Sequence, residues 1–137
     1  MADPVAALVA YLNSELNALS DTYSDVYGAT VYGGSFQGQP PGVLVRASGG
    51  GLLASGYMPT VDARVDVRCY HHTDWQTAQL DRMIAYLLHR IDHVATDHGV
   101  IRWCRLAGGP NQLRESQTRW PVMMSAWQVY GDWLSDA

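Results

Sequence analysis

The sequence predicts an α+β domain, in which a small, mostly antiparallel β-sheet carries two α-helices packed on one face. Two adjacent stretches carry most of that expectation. In residues 61–70, Val61, Ala63, Val65, Val67 and Cys69 alternate with Asp62, Arg64, Asp66 and Arg68. A period of two gives a strand with one buried and one charged face, on which neighbouring aspartates and arginines can partly neutralise each other. Directly afterwards Leu80, Met83, Ile84, Leu87, Leu88, Ile91 and Val94 recur at spacings of three and four, which lays one apolar stripe along a helix. Short apolar runs bounded by glycine and proline, before and after this unit, supply the remaining strands.

The elements follow in order. Asp3 can cap a first helix and Pro4 fits its first turn, where the missing amide hydrogen costs nothing. Val5, Leu8, Val9, Leu12, Leu16 and Leu19 then form a narrow stripe over residues 4–19. From residue 20 to 42 the chain is rich in turns, and Val-Tyr-Gly occurs twice, at 26–28 and 31–33, as part of a turn. Residues 43–47 and 52–57 read as a hairpin joined by Ser48-Gly49-Gly50-Gly51; the glycines permit the positive backbone angles of a tight connection. The central strand then meets Thr73, an N-cap, and Gln76, three residues on, which has the spacing of a capping box. Gly99 is the expected helix stop, so this helix is predicted to run to residue 98. A strand at 100–106 and a last strand at 120–130 complete the sheet, separated by a mostly polar loop at 107–119. That loop is expected to be mobile, because connections of this length exceed the usual ~4–6 residues. The tail from residue 131 is expected to fray.

A chain of 137 residues with 47% hydrophobic content is expected to be one domain spanning residues 1–137, with a core of its own. No apolar run approaches the ~20 residues of a membrane span, and the opening Met-Ala-Asp-Pro lacks the basic-then-apolar order of a signal peptide. Cys69 and Cys104, each inside a predicted strand, are expected to be reduced, buried thiols. The net charge of −4 argues against a nucleic-acid binder. Charge is also unevenly spread: residues 1–30 hold Asp3, Glu15, Asp21 and Asp25 and no base, whereas residues 100–120 hold Arg102, Arg105, Arg114 and Arg119 against Glu115. Unlike ends of this kind can associate head to tail.

The residues that could carry chemistry do not assemble into a recognisable motif. His89 and His93 have the i, i+4 spacing of a helical metal pair, but no third ligand is evident, and a structural or solvent role is the reading adopted. His71 and His72 are consecutive and diverge. The chain has no Gly-x-Ser-x-Gly elbow, and its two glutamates, Glu15 and Glu115, sit in polar surroundings. No catalytic residue, metal or cofactor is expected. The back of the central helix is more unusual. Trp75, Arg82, Tyr86, His89 and His93 fall opposite the apolar stripe, and aromatic and arginine side chains are what protein interfaces bury. Arg114 and Arg119, beside Trp120, form a second candidate patch.

The order of these elements, with Pro59-Thr60-Val61-Asp62-Ala63-Arg64-Val65-Asp66-Val67-Arg68-Cys69-Tyr70, then Trp75, Ala78 and Leu80 opening a helix, then Arg119-Trp120-Pro121-Val122, resembles the tail terminator (tail completion) proteins of long-tailed bacteriophages. The resemblance covers residues 4–130 and is one of pattern and length. It implies a structural virion protein that forms a hexameric ring on the last ring of the tail tube, ends tube growth and meets the head-tail connector or stopper. It implies self, tail tube protein and connector as partners, DNA passing through without specific binding, host cytoplasm during assembly, and no catalytic residues. Another neck or head-completion ring protein, a small metal-dependent enzyme using His89 and His93, and a peptide-binding module with an exposed strand edge are the alternatives.

Overall fold

The computed structural model describes residues 4–27, 29–34, 40–47, 60–115 and 118–133. Helix α1 (Pro4–Tyr27) is followed by strands β1 (Thr30–Gly33), β2 (Gly42–Ala47) and β3 (Thr60–Tyr70), helix α2 (Asp74–His89), and strands β4 (Val94–Thr96), β5 (Gly99–Arg114) and β6 (Pro121–Trp133). The fold is α+β. Its sheet has six strands in the order β1-β2-β3-β6-β5-β4, larger than the small sheet expected, and it is mixed: β1 runs parallel to β2, while the other four pairings are antiparallel.

The charged strand sits at the middle of this sheet. β3 pairs along its full length with β6, from Thr60 opposite Asp132 to Tyr70 opposite Val122. Its odd-numbered residues Val65, Val67 and Cys69 join Val43 and Val45 of β2, Trp127 and Val129 of β6, and Leu8, Leu12, Leu16, Leu80, Ile84, Leu87 and Leu88 of the two helices in one buried cluster. Even-numbered positions point to the second face, where Leu44, Tyr70 and Val122 make a smaller cluster with Tyr32 and Trp120 against it. A period of two therefore sorts the sheet into an apolar and a charged side.

Several predicted boundaries are corrected. α1 continues to Tyr27 instead of stopping at residue 19, since no glycine or proline interrupts the chain before Gly28 and polar residues cost a helix only tenths of a kcal/mol each. The second Val-Tyr-Gly is a strand, not a turn, because it finds a parallel partner in β2. Its outer edge is closed by Asn13, whose side-chain amide accepts from the Val31 N–H at 2.9 Å and donates to the Val31 carbonyl at 3.1 Å, as a neighbouring strand would. The expected 43–57 hairpin is not the pairing of β2, which lies between β1 and β3; residues 52–57 lie outside the described residues.

Helix α2 stops at His89, nine residues earlier than expected. Arg90 closes it, its N–H directed to the carbonyls of Leu88 and Tyr86, and His93 takes a left-handed conformation with φ 54°. β-Branched Val94 and Thr96 then pair antiparallel with β5, which satisfies their backbone groups better than a further helical turn. Gly99, the expected helix stop, instead opens β5 at φ 135°. The loop expected at 107–119 is the largest correction, because β5 runs to Arg114 and pairs with β6 as far as Pro121. Two register shifts absorb the irregular residues between Leu106 and Asn111, and a third lies between Ile101 and Trp103. Gly109 is required at one of them, for its φ is +84° and a Cβ there would lie 2.8 Å from the Met124 carbonyl oxygen. Residues 131–133, expected to fray, end β6 in register with β5.

Candidate functional site

Two surfaces gather the residues singled out from sequence. The first is built on α2. Thr73 caps the helix, its Oγ1 accepting from the Gln76 N–H at 3.1 Å and donating to Gln76 Oε1 at 3.1 Å, so Gln76 meets the hydroxyl rather than the backbone amide of a full capping box. That start fixes the helix rotation, and Trp75 and Tyr86 remain 67% and 55% exposed. Gln79, Arg82, Met83 and Tyr86 line a groove of about 340 Å³, and the Arg90 guanidinium lies 5.3 Å over the Tyr86 ring. His89 is exposed but packs edge-on to Trp127, with ring centroids 4.9 Å apart. His93 is not on this helix. It lies beyond its end, where Nδ1 meets the Asp92 carboxylate at 2.6 Å, and the i, i+4 metal pairing with His89 is lost with the helical turn that would have made it.

The Arg114 patch joins this surface. Arg114 donates to both carboxylate oxygens of Asp74, at 3.2 and 3.0 Å, and to the Arg119 carbonyl at 3.1 Å. Arg119 has φ 64°, which turns the chain from the end of β5 into β6. Asp74 is in the first turn of α2 next to Trp75, so the ion pair brings Arg114 beside the start of that helix. Both partners of the ion pair are about half exposed, which limits its stabilisation to roughly 1 kcal/mol or less; its effect is to hold the β5–β6 arm beside the helix. Asp74 had no signal in sequence, because its partner is 40 residues away.

Arg102 and Arg105 belong to the second face of the sheet. Arg102 donates through Nε and Nη2 to one carboxylate oxygen of Asp132, at 2.9 and 2.7 Å. Arg105 lies 4.6 Å over the Trp103 ring, which itself stacks on Tyr130 at 5.2 Å and 13°. Trp103, Tyr130 and Asp132 were not singled out from sequence, since their proximity depends on the β5–β6 register. Further along the same face a cleft of about 380 Å³ is lined by Arg68, Tyr70, Leu113, Arg114, Glu115, Trp120 and Val122.

The whole arrangement aligns with a solved structure. A chain in the virion of a native gene transfer agent particle superposes with a TM-score of 0.61 over 94% of this chain and 98% of its own, at 12% sequence identity. The two chains share a fold. No protein-family profile matches the sequence, and no curated protein matches it.

The buried titratable groups complete the site chemistry. Cys69 and Cys104 are buried and not bonded to each other. Burial pushes the Cys104 thiol up to about 12 and the Cys69 thiol well above its ordinary range, the nearby Asp81 adding to the latter. Both stay protonated at neutral pH and are poor nucleophiles. A thiol reagent is expected to label both only after denaturation, and a count of zero under denaturing, non-reducing conditions would contradict two free thiols. Among the described residues no three His, Cys, Asp or Glu side chains form a metal-holding group, and no helix is long and apolar enough to cross a membrane.

Asp81, missed by the helical stripe, is 7% exposed on α2, and burial raises its pKa. A carboxyl with a raised folded-state pKa favours the folded state when protonated, below its unfolded value of 3.8, and that contribution is lost as pH rises through the folded value. Asp81→Asn is therefore expected to melt higher than wild type at pH 7, with the gap closing as pH falls toward 3.8. A gap independent of pH, measured by thermal melting, would show that ionisation of Asp81 is not the cause.

Proposed function

We propose that this chain is a structural virion protein, specifically a tail terminator that closes into a ring on the end of a phage-like tail tube, stops its growth and presents a surface to the head connector. The observation that carries the reading is the fold shared over nearly the full length of both chains with a component of a gene transfer agent virion. The order of the sequence elements, which resembles that of tail terminators, supplies the more specific role. In this reading both helices sit on one face of the sheet, the ring is a hexamer, and the protein has no catalytic activity or cofactor. Its partners are its own copies, the tail tube protein and the connector or stopper.

The α2 outer surface is the proposed contact with the tail tube or a neighbouring subunit. Trp75 and Tyr86 are large and exposed, Arg82 and His89 lie on the same helix, and Arg114 and Arg119 extend the patch through Asp74. Exposed aromatic and arginine side chains are energetically productive when buried against a partner. His93 lies past the helix end, and Arg102 and Arg105, on the second face, would belong to a separate contact. DNA passing through the ring would meet subunits of net charge −4, which repel the phosphate backbone rather than grip it.

The test is tail length. Tubes polymerised with this protein present are expected to stop at a defined length and become competent for head joining, while tubes without it grow on. Trp75→Asp with Arg114→Glu is expected to abolish capping with an unchanged thermal melt. Tubes that elongate equally with and without the protein would refute the terminator role.

A further inference from the structure

Three arginines of the second face, Arg46, Arg64 and Arg68, stand apart from the Arg102–Asp132 pair. Asp66 of β3 is flanked on its own strand by Arg64 and Arg68, and it stands opposite Arg46 of β2. Neighbours two apart on a strand, or directly opposite across a ladder, lie within roughly 7 Å of each other. Three arginines thus occupy positions next to one aspartate on this face. Yet among the described residues none of these four side chains makes a hydrogen bond or ion pair within the chain. Arg46 and Arg64 are exposed, and the Nε of Arg68 is buried without an acceptor. Like charges crowded on one sheet face are destabilising. A carboxylate from outside the subunit, set against the exposed Arg46 and Arg64, would relieve that crowding.

The same subunit carries a complementary surface elsewhere. Between α1 and β4 a cleft of about 370 Å³ is lined by Ala10, Tyr11, Ser14, Glu15, Val94, Ala95, Thr96 and Asp97, which include two carboxylates and no base. Burial and then Glu15 raise the pKa of Tyr11 in this cleft, with the Arg90 guanidinium acting in the opposite direction. The cleft lies at the far edge of the sheet from β2, because β4 is the last strand in the order. One subunit therefore presents a cationic cluster and an anionic cleft on different surfaces, which is the requirement for a head-to-tail contact that can close into a ring.

We infer that the subunit interface seats the Arg46–Arg64–Arg68 cluster of one copy against the Glu15–Asp97 cleft of the next. This inference rests on the ring reading above and names the contact that would build it. A second copy fits better than nucleic acid, because Asp66 and Asp132 interrupt the arginines and would repel a phosphate backbone, whereas mixed charges fix register between proteins.

Charge exchange tests the contact. Arg46→Glu with Arg64→Glu, and separately Glu15→Arg with Asp97→Arg, change surface positions and are each expected to lower ring formation at tube ends at least tenfold. All four substitutions in one chain restore unlike charges and are expected to recover it. The milder Arg64→Gln and Asp97→Asn, with melting curves to show that the chains fold, are expected to weaken assembly in the same order. Either reversed pair assembling like wild type, or the four-site variant failing while each variant folds, would overturn the contact. So would an Arg46→Glu, Arg64→Glu variant that assembles normally but loses binding to duplex DNA. Wild-type protein that forms no ring would instead defeat the ring reading itself; rings of wild type that tolerate the reversals defeat only this interface.

Discussion

Leu87→Asp is expected to leave no folded protein at 25 °C. Leu87 is 1% exposed and lies in the shared cluster of helix and sheet residues, where a carboxylate would have neither water nor a partner. Such burial costs several kcal/mol, against a total stability of about 5–15 kcal/mol for a domain of this kind. The substitution also removes the packing of a full leucine side chain, so the two losses act together. Far-ultraviolet circular dichroism and melting would read the result. A cooperative transition at the wild-type temperature would mean that α2 is rotated away from the sheet, contrary to the cluster described.

Trp127→Ala ranks next. Trp127 is among the largest fully buried side chains, 1% exposed, and its Nε1 donates to Ser125 Oγ at 2.8 Å. It sits on β6 opposite Val65 of β3 and Leu106 of β5, so it ties the central ladder to both sides. Truncating a buried tryptophan costs ~3–5 kcal/mol through lost contacts and the remaining cavity, and here it also strands the Ser125 hydroxyl. The melting temperature is expected to fall by more than about 10 °C. Trp127→Phe, which keeps most of the volume, is expected to lose less than half of that. Equal losses in the two variants would assign the effect to the hydrogen bond instead of the packing.

The parts of this fold that were legible in the sequence are those whose partners are local or indifferent. Alternation along β3 identified its buried face because any apolar layer would select the same residues. The stripe Leu80, Ile84, Leu87 and Leu88 was legible for the same reason, and all four are buried. What could not be read depends on pairing across the chain. Ile91 and Val94 continue the helical spacing, but β4 formation is decided by Val100 and Ile101 of β5, which periodicity does not see. Residues 107–114 look like a loop because glycine, proline and polar residues dominate, yet β6 supplies a ladder that bulges make compatible with them. The candidate surface divides in the same way. The exposure of Trp75 and Tyr86 follows from the helical wheel, while the Asp74–Arg114 and Arg102–Asp132 pairs and the Trp103–Tyr130 stack exist only once β5 and β6 are in register.

The proposed activity is that of a closed ring on a tail tube. Electron microscopy of tube ends, with and without the protein, addresses it most directly. One additional ring is expected at the tube end, with six subunits around the tube axis and an open centre, formed by wild type and lost with the charge-reversed surface. Tube ends that look the same whether or not the folded protein is present would contradict it.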